Sequence, residues 1–264
     1  MSQLSTEEQE ISDWADRLYE AGTSKQPIRP LTEVEPNFTI ESAYKVQLKN
    51  TARRVAHGDV VVGHKIGLTS KPMQKLLGVS EPDYGHLFRS MQFYSGNVID
   101  FPLVQPKIEP EIAFILKEDL VGPNVTILDV IHAIDFVVPA IEVIDSRIAD
   151  WKIKLPDTIA DNASSGCYVL GTRPFKISEI DIARIGMVMS VDGSMVDTGS
   201  SAAVLGNPLL AVAWLANKLF DFDTTLRARH VVLSGAVCSA VSLQSGQRFQ
   251  ARFGQFGSVE GQFQ

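Results

Sequence analysis

Two acids two positions apart, Glu109 and Glu111, sit in Lys107-Ile108-Glu109-Pro110-Glu111-Ile112-Ala113-Phe114-Ile115-Leu116. On a strand, residues i and i+2 point to the same face. The apolar run that follows marks this strand as buried on both faces, so two like charges side by side need something to cancel them. A hard divalent cation such as Mg²⁺ is the simplest canceller, because it prefers carboxylate oxygen. Taken alone, such a pair is more often a strand end whose acids reach solvent or pair with Lys or Arg. A third acid changes that balance. Glu142, in Pro139-Ala140-Ile141-Glu142-Val143-Ile144-Asp145-Ser146-Arg147, lies in a run too apolar for a solvated edge. Its structural alternative is an ion pair with Arg147. With Glu109 and Glu111 it makes three carboxylates that leave coordination positions open for a substrate.

Lys65 lies between two glycines in Val62-Gly63-His64-Lys65-Ile66-Gly67-Leu68-Thr69. Glycine lets backbone and ligand come close, which suits a pocket better than a solvated strand end. Near a metal, the ammonium would bind a carboxylate or take part in proton transfer. Alternation puts His64 on the opposite face. Asp83, in Glu81-Pro82-Asp83-Tyr84-Gly85, reads alone as a turn residue. The run from Asp157 to Gly166 is dense in small polar groups, either an ordinary loop with Asx turns or a wall that hydrogen-bonds substrate oxygens.

The elements that must position these residues follow from periodicity. Ser5-Thr6-Glu7-Glu8 reads as a helix cap, and Ile11, Trp14, Ala15, Leu18 and Tyr19 form an amphipathic stripe that Gly22 ends. A linker with Pro27, Pro30 and Pro36 leads to a second helix capped by Thr39. Strands are expected at residues 60–67, 92–101, 108–116, 136–144 (broken by Pro139), 167–170, 185–191, 231–234 and 248–253. Helices are expected at 70–77, 127–134 and 208–219, the last opened by Pro208. Asp192-Gly193, Ser245-Gly246, Gly254 and Gly257 mark turns. Helices interrupt strands without a regular βαβ repeat, which predicts an α+β fold. The chain divides into an N-terminal helical segment, 1–58, and a catalytic β-rich domain, 59–264.

Composition narrows the function. The 264 residues are 45% apolar with net charge −7, enough for a large core and contrary to a nucleic-acid or anionic-membrane footprint. Only Cys167 and Cys238 are present, in no CxxC pattern, so neither a disulfide framework nor a zinc cluster is expected. The polar N-terminus lacks the basic and apolar regions of a signal peptide, and the apolar runs are too short to span a bilayer. A cytoplasmic protein without membrane or nucleic-acid partners is the expectation. No Walker loop or dinucleotide fingerprint occurs.

Five segments in order resemble the 2-keto-4-pentenoate (2-hydroxypenta-2,4-dienoate) hydratases, which share a family with the 4-oxalocrotonate decarboxylases and the fumarylacetoacetate hydrolase fold. They are Gly63–Ser70, Glu81–Gly85, Glu109–Ala113, Pro139–Arg147 and Ala160–Gly166. The resemblance implies a mixed, rolled, barrel-like β-sheet core and a bound Mg²⁺ or Mn²⁺. It places the metal ligands on Glu109, Glu111 and Glu142. It puts the active-site Lys on Lys65 and the loop Asp on Asp83, both as catalytic groups. Lys65, Asp161, Asn162, Ser164 and Ser165 become the substrate-binding set. The implied reaction hydrates a 2-hydroxydienoate to a 4-hydroxy-2-oxo acid in aromatic meta-cleavage, with the cation holding enolate charge. The alternatives are a 4-oxalocrotonate decarboxylase, a C–C bond hydrolase, and a non-catalytic partner subunit. Homo-oligomers, and association with a paralogous decarboxylase or hydratase, are also implied.

Overall fold

The computed structural model describes residues 5–264; the first four residues of the polar N-terminus lie outside it. Helix α1 (Thr6–Ser24) opens on a capping box in which Ser5 and Glu8 satisfy each other's backbone N–H groups. It runs through Gly22, because Lys25 takes the left-handed C-cap and returns its N–H to Ala21. Trp14, Ala15 and Leu18 of the stripe are buried, while Tyr19 stays exposed. The Pro-rich linker contains a single turn, α2 (Leu31–Val34), before α3 (Ile40–Ala56), whose Thr39 cap accepts from Ser42 at 3.1 Å.

The β-rich part begins with β1 (Val61–Gly67), then α4 (Lys71–Leu77) and β2 (Asp83–Phe88). The stretch expected as one strand over 92–101 is two pieces, β3 (Gln92–Tyr94) and β4 (Val98–Ile99), because Gly96 turns the chain at φ 91°. They join different sheets. Next come β5 (Lys107–Leu116), α5 (Ile127–Ala133) and β6 (Ile134–Ile144). Strand β6 is not broken at Pro139. The Pro139 carbonyl faces Gly171, just past the end of the neighbouring ladder, so its missing N–H removes little pairing. Helix α6 (Leu155–Ala160) occupies the start of the segment expected as a loop; its Asp157 accepts from Lys154 N and, across the fold, from Thr32 N and Oγ1. Then follow β7 (Ser165–Leu170), the hairpin β8 (Gly186–Val191) and β9 (Ser194–Ser200), α7 (Pro208–Phe220), β10 (Val231–Leu233), β11 (Val241–Ser242), β12 (Arg248–Arg252) and β13 (Ser258–Phe263).

The strands make two mixed sheets, an α+β fold as expected. One runs β2-β1-β10-β5-β6-β7-β3 with β11 also on β5; the other runs β4-β13-β12-β8-β9. Most pairs are antiparallel, with β1–β10, β3–β7 and β4–β13 parallel. Among the described residues β2 and β3 do not pair, so the rolled, barrel-like sheet is open and not a closed barrel. Helix α7 is apolar because it is a core helix, burying Leu209, Val212, Leu215, Ala216 and Leu219. Helix α3 is tied to the body by the buried Gln47, which donates to Tyr84 O and Ile159 O at 2.9 and 2.8 Å.

Candidate active site

Five strands and one turn converge on the acids. Register places Glu109 of β5 directly opposite Glu142 of β6, and Glu111 two residues further on the same face. One carboxylate oxygen from each of the three lies within 4.8 Å of the others. Glu111 and Glu142 are buried and Glu109 is half-buried. Glu111 Oε2 accepts from Gly235 N at 2.8 Å, on the segment that follows β10. Nothing local in the sequence shows that this segment reaches β5.

Lys65 on β1 supplies the counter-charge. Its Nζ is 3.3 Å from Glu142 Oε2 and donates to the Ala163 carbonyl at 2.8 Å. The expected alternative, Glu142 with Arg147, is absent: Arg147 is taken by Asp161 and lies 3.8 Å from Asp145. Burial works against the Lys65 ammonium, but Glu142, Asp83, Glu109 and Glu111 outweigh it and raise its pKa above the ordinary lysine value.

The acids carry more negative charge than Lys65 balances. Burial pushes Glu109 up to about 7, with Glu142 adding to the push and Lys65 opposing it. Burial, then Glu142 and Glu109, raise Glu111 well above the usual carboxyl range. Burial raises Glu142 too, against the pull of Lys65. Glu142 has the Lys65 ammonium at 3.3 Å and the Ser165 hydroxyl beside it, neither in good hydrogen-bond geometry. One ammonium does not balance three carboxylates. Hard oxygen donors in this number, partly unpartnered and converging on one point, fit a divalent cation of the Mg²⁺ or Mn²⁺ kind.

Asp83 is not a turn residue. It pairs with Gly67 as the first residue of β2, on the Lys65 face of the sheet. The absence of a side chain at Gly67 makes this possible: a Cβ there would lie 2.2 Å from Asp83 Oδ1. The close approach allowed by glycine near Lys65 is thus used by Asp83. Its Oδ2 accepts from Thr158 Oγ1 at 3.3 Å, and Oδ1 has no partner. Burial raises the Asp83 pKa against the pull of Lys65. Thr158 is a site residue that sequence reading did not single out; its only signal was membership of the small polar run.

The segment expected to line the substrate divides. Ser164 Oγ lies 3.5 Å from Thr158 Oγ1, and Ser165 faces Glu142. Asp161 and Asn162 depart from the expectation. The Asp161 carboxylate is committed to Arg147, and the Asn162 amide is committed to the backbone of His86. His64 lies on the far face beside His86, their ring centroids 4.9 Å apart.

The sequence profile described as fumarylacetoacetate (FAA) hydrolase C-terminal matches residues 70–264. The chain is 45% identical over 257 residues to a protein of Paraburkholderia xenovorans (strain LB400) named 2-keto-4-pentenoate hydratase, covering 97% of this chain and 96% of that one. It is 43% identical over 261 residues to the 2-hydroxyhexa-2,4-dienoate hydratase of Comamonas testosteroni, covering 98% and 99%. Its structure resembles the 4-oxalocrotonate decarboxylase from Pseudomonas putida G7, complexed with magnesium and adipate. That match has a TM-score of 0.94 at 37% identity over the whole of both chains.

Proposed function

This chain belongs to the fumarylacetoacetate hydrolase family, and on that premise we propose that it is a hydro-lyase. It adds water to 2-hydroxypenta-2,4-dienoate, or a 5-substituted homologue, to give the 4-hydroxy-2-oxo acid. The observation that carries the reading is the buried triad of Glu109, Glu111 and Glu142 beside Lys65, in a chain 45% identical to a named hydratase over nearly its full length.

Glu109, Glu111 and Glu142 hold Mg²⁺ or Mn²⁺. When bound, the cation supplies Lewis-acid stabilisation of the negative charge that gathers at the substrate's C2 oxygen. Lys65 binds the substrate carboxylate or hands on a proton, its ammonium oriented by Ala163 O. Asp83 orients water or moves a proton: it is buried, its pKa is raised, and Oδ1 is unpartnered. The Ser165 hydroxyl, also unpartnered, and Ser164 contact substrate oxygens. Asp161 and Asn162 act from behind the site rather than on the substrate, since their polar atoms are already engaged.

The decarboxylase reading keeps the support of the likeness to the solved decarboxylase. Both reactions pass through the same dienolate, and the higher identity to hydratases decides between them here. The test supplies freshly made 2-hydroxypenta-2,4-dienoate with Mg²⁺ and follows loss of its ultraviolet absorbance with product identification, and in parallel supplies 2-oxo-3-hexenedioate and measures CO₂. CO₂ release without hydration of the dienoate overturns the reading.

The helical segment before residue 59 serves as a layer over the catalytic body, a division supported by the bonds of Gln47 and Thr32 to that body. Exposed Val121, Leu128, Leu210 and Phe220, on or beside α5 and α7, support assembly into a homo-oligomer, with association to a paralogous decarboxylase as its extension. A cytoplasmic location completes the proposal.

A further inference from the structure

Three consecutive residues without glycine, Asn162, Ala163 and Ser164, have φ of 55°, 50° and 52°. Apart from Asn and Asp, side-chain-bearing residues avoid this left-handed region, and a run of three that includes Ala and Ser persists only where its surroundings impose it. The surroundings are specific. Arg147 reaches both ends of the turn: it donates from its backbone N to Asp161 Oδ2 at 2.9 Å, from Nε to Asp161 Oδ1, from Nη2 to the Asp161 carbonyl, and from Nη1 to the Ser165 carbonyl at 3.0 Å. Asn162 fixes the middle. Its Oδ1 accepts from His86 N at 2.7 Å and its Nδ2 donates to His86 O at 3.0 Å, so the side chain pairs with β2 as a strand backbone would. Gly85 leaves room, since a Cβ there would lie 2.3 Å from the Asn162 carbonyl.

What the turn delivers is the Ala163 carbonyl at the Lys65 ammonium and the Ser165 hydroxyl at Glu142. We propose that Arg147 and Asn162 are positioning residues for the reaction: together they hold the 162–164 turn left-handed, so that Ala163 O aims Lys65 and Ser165 faces the triad. This rests on the functional reading above. The planar guanidinium is needed because one group must serve both ends of the turn and a carboxylate at once; an ammonium cannot span them.

The test uses full-length Arg147→Lys, Arg147→Ala, Asn162→Asp and Asn162→Ala, each first shown to melt cooperatively. Amide exchange of His86, Ser164 and Asp145 is then read by NMR, and kcat and KM for the dienoate are measured. The expected result is faster exchange at these amides, with kcat down by about tenfold to a hundredfold and KM within about threefold, the pattern of a misplaced group rather than lost binding. The Arg147→Ala and Asn162→Ala losses should be less than multiplicative when combined, since both act on one turn. Millimolar guanidinium should restore part of kcat to Arg147→Ala but none to Asn162→Ala. Wild-type kcat in folded Arg147→Lys and Asn162→Ala overturns the proposal. So does a rise in KM with kcat unchanged, which would put Asn162 on the substrate. If the wild-type chain turns over neither acid, the functional reading fails by itself. The exchange rates still decide whether the two residues hold the turn, and unchanged rates refute it.

Discussion

Glu109 and Glu142 stand directly opposite each other across β5 and β6, with Lys65 Nζ 3.3 Å from Glu142 as counter-charge. Like charges facing across a ladder destabilise it, so this pair is retained against the interest of the fold alone.

Removing either charge separates binding from folding. Glu109→Gln and Glu142→Gln should each weaken Mg²⁺ or Mn²⁺ binding by more than about a hundredfold, beyond the loss usual for groups that only support a ligand. Metal-free Glu109→Gln should melt no lower than the metal-free parent, because a repulsion has been relieved, whereas metal-free Glu142→Gln should fold but melt lower, because it also takes the counter-charge from the buried Lys65. Calorimetric titration with Mn²⁺ and thermal melts check both; full activity in either variant takes that residue out of the site.

The pH dependence of stability should be steeper without metal than with it. Glu109 is raised by burial from its ordinary 4.5 to about 7, so between these values the metal-free fold holds a proton that the unfolded chain has released. A group shifted this way contributes stability at low pH that is lost as pH rises toward and through its folded value. The metal-free melting temperature should therefore fall from pH 5 to pH 8. The increment on adding Mg²⁺ should grow over the same range, since the ligands must be deprotonated to bind. A flat metal-free profile contradicts the assignment.

Gly67→Ala should damage Asp83. The new Cβ would lie 2.2 Å from Asp83 Oδ1, and strand pairing on that side leaves the backbone little freedom to yield. A stability loss of about 1–3 kcal/mol from overpacking is expected, together with a fall in kcat larger than the folded fraction explains. Denaturant titration beside single-turnover kinetics measures the two effects.

Thr158→Val removes the hydroxyl that donates to Asp83 Oδ2 at 3.3 Å. That bond favours the ionised carboxylate, so without it the Asp83 pKa, already raised by burial, should rise further. If Asp83 acts as a base, the acid limb of kcat should move to higher pH, while Asp83→Asn should cost on the order of 10²–10⁴ in kcat. A pH–rate profile for Thr158→Val that overlays the parent argues against Asp83 in this role.

The amino-acid order alone determined the features written over a few neighbouring residues. Apolar runs and period-two spacing placed Glu109 and Glu111 on one face of a buried strand, and caps and 3.6-residue periodicity placed α1, α3 and α7 to within a few residues. The third acid and Lys65 were legible as charges in runs too apolar to leave them in water. Tertiary structure decided who meets whom. Asp83 read as a turn because a strand buried on both faces shows no alternation; only pairing with β1 makes it one. Arg147 sits five residues beyond Glu142 yet serves Asp161, because β6 ends between them and turns the chain toward the 161–165 segment. Asn162 reaches His86 across 76 residues and Ala163 reaches Lys65 across 98, so the left-handed turn that joins them has no local signature. Of its three residues, Asn162 alone takes this conformation readily; for Ala163 and Ser164 it opposes local preference and exists because groups distant in sequence hold it.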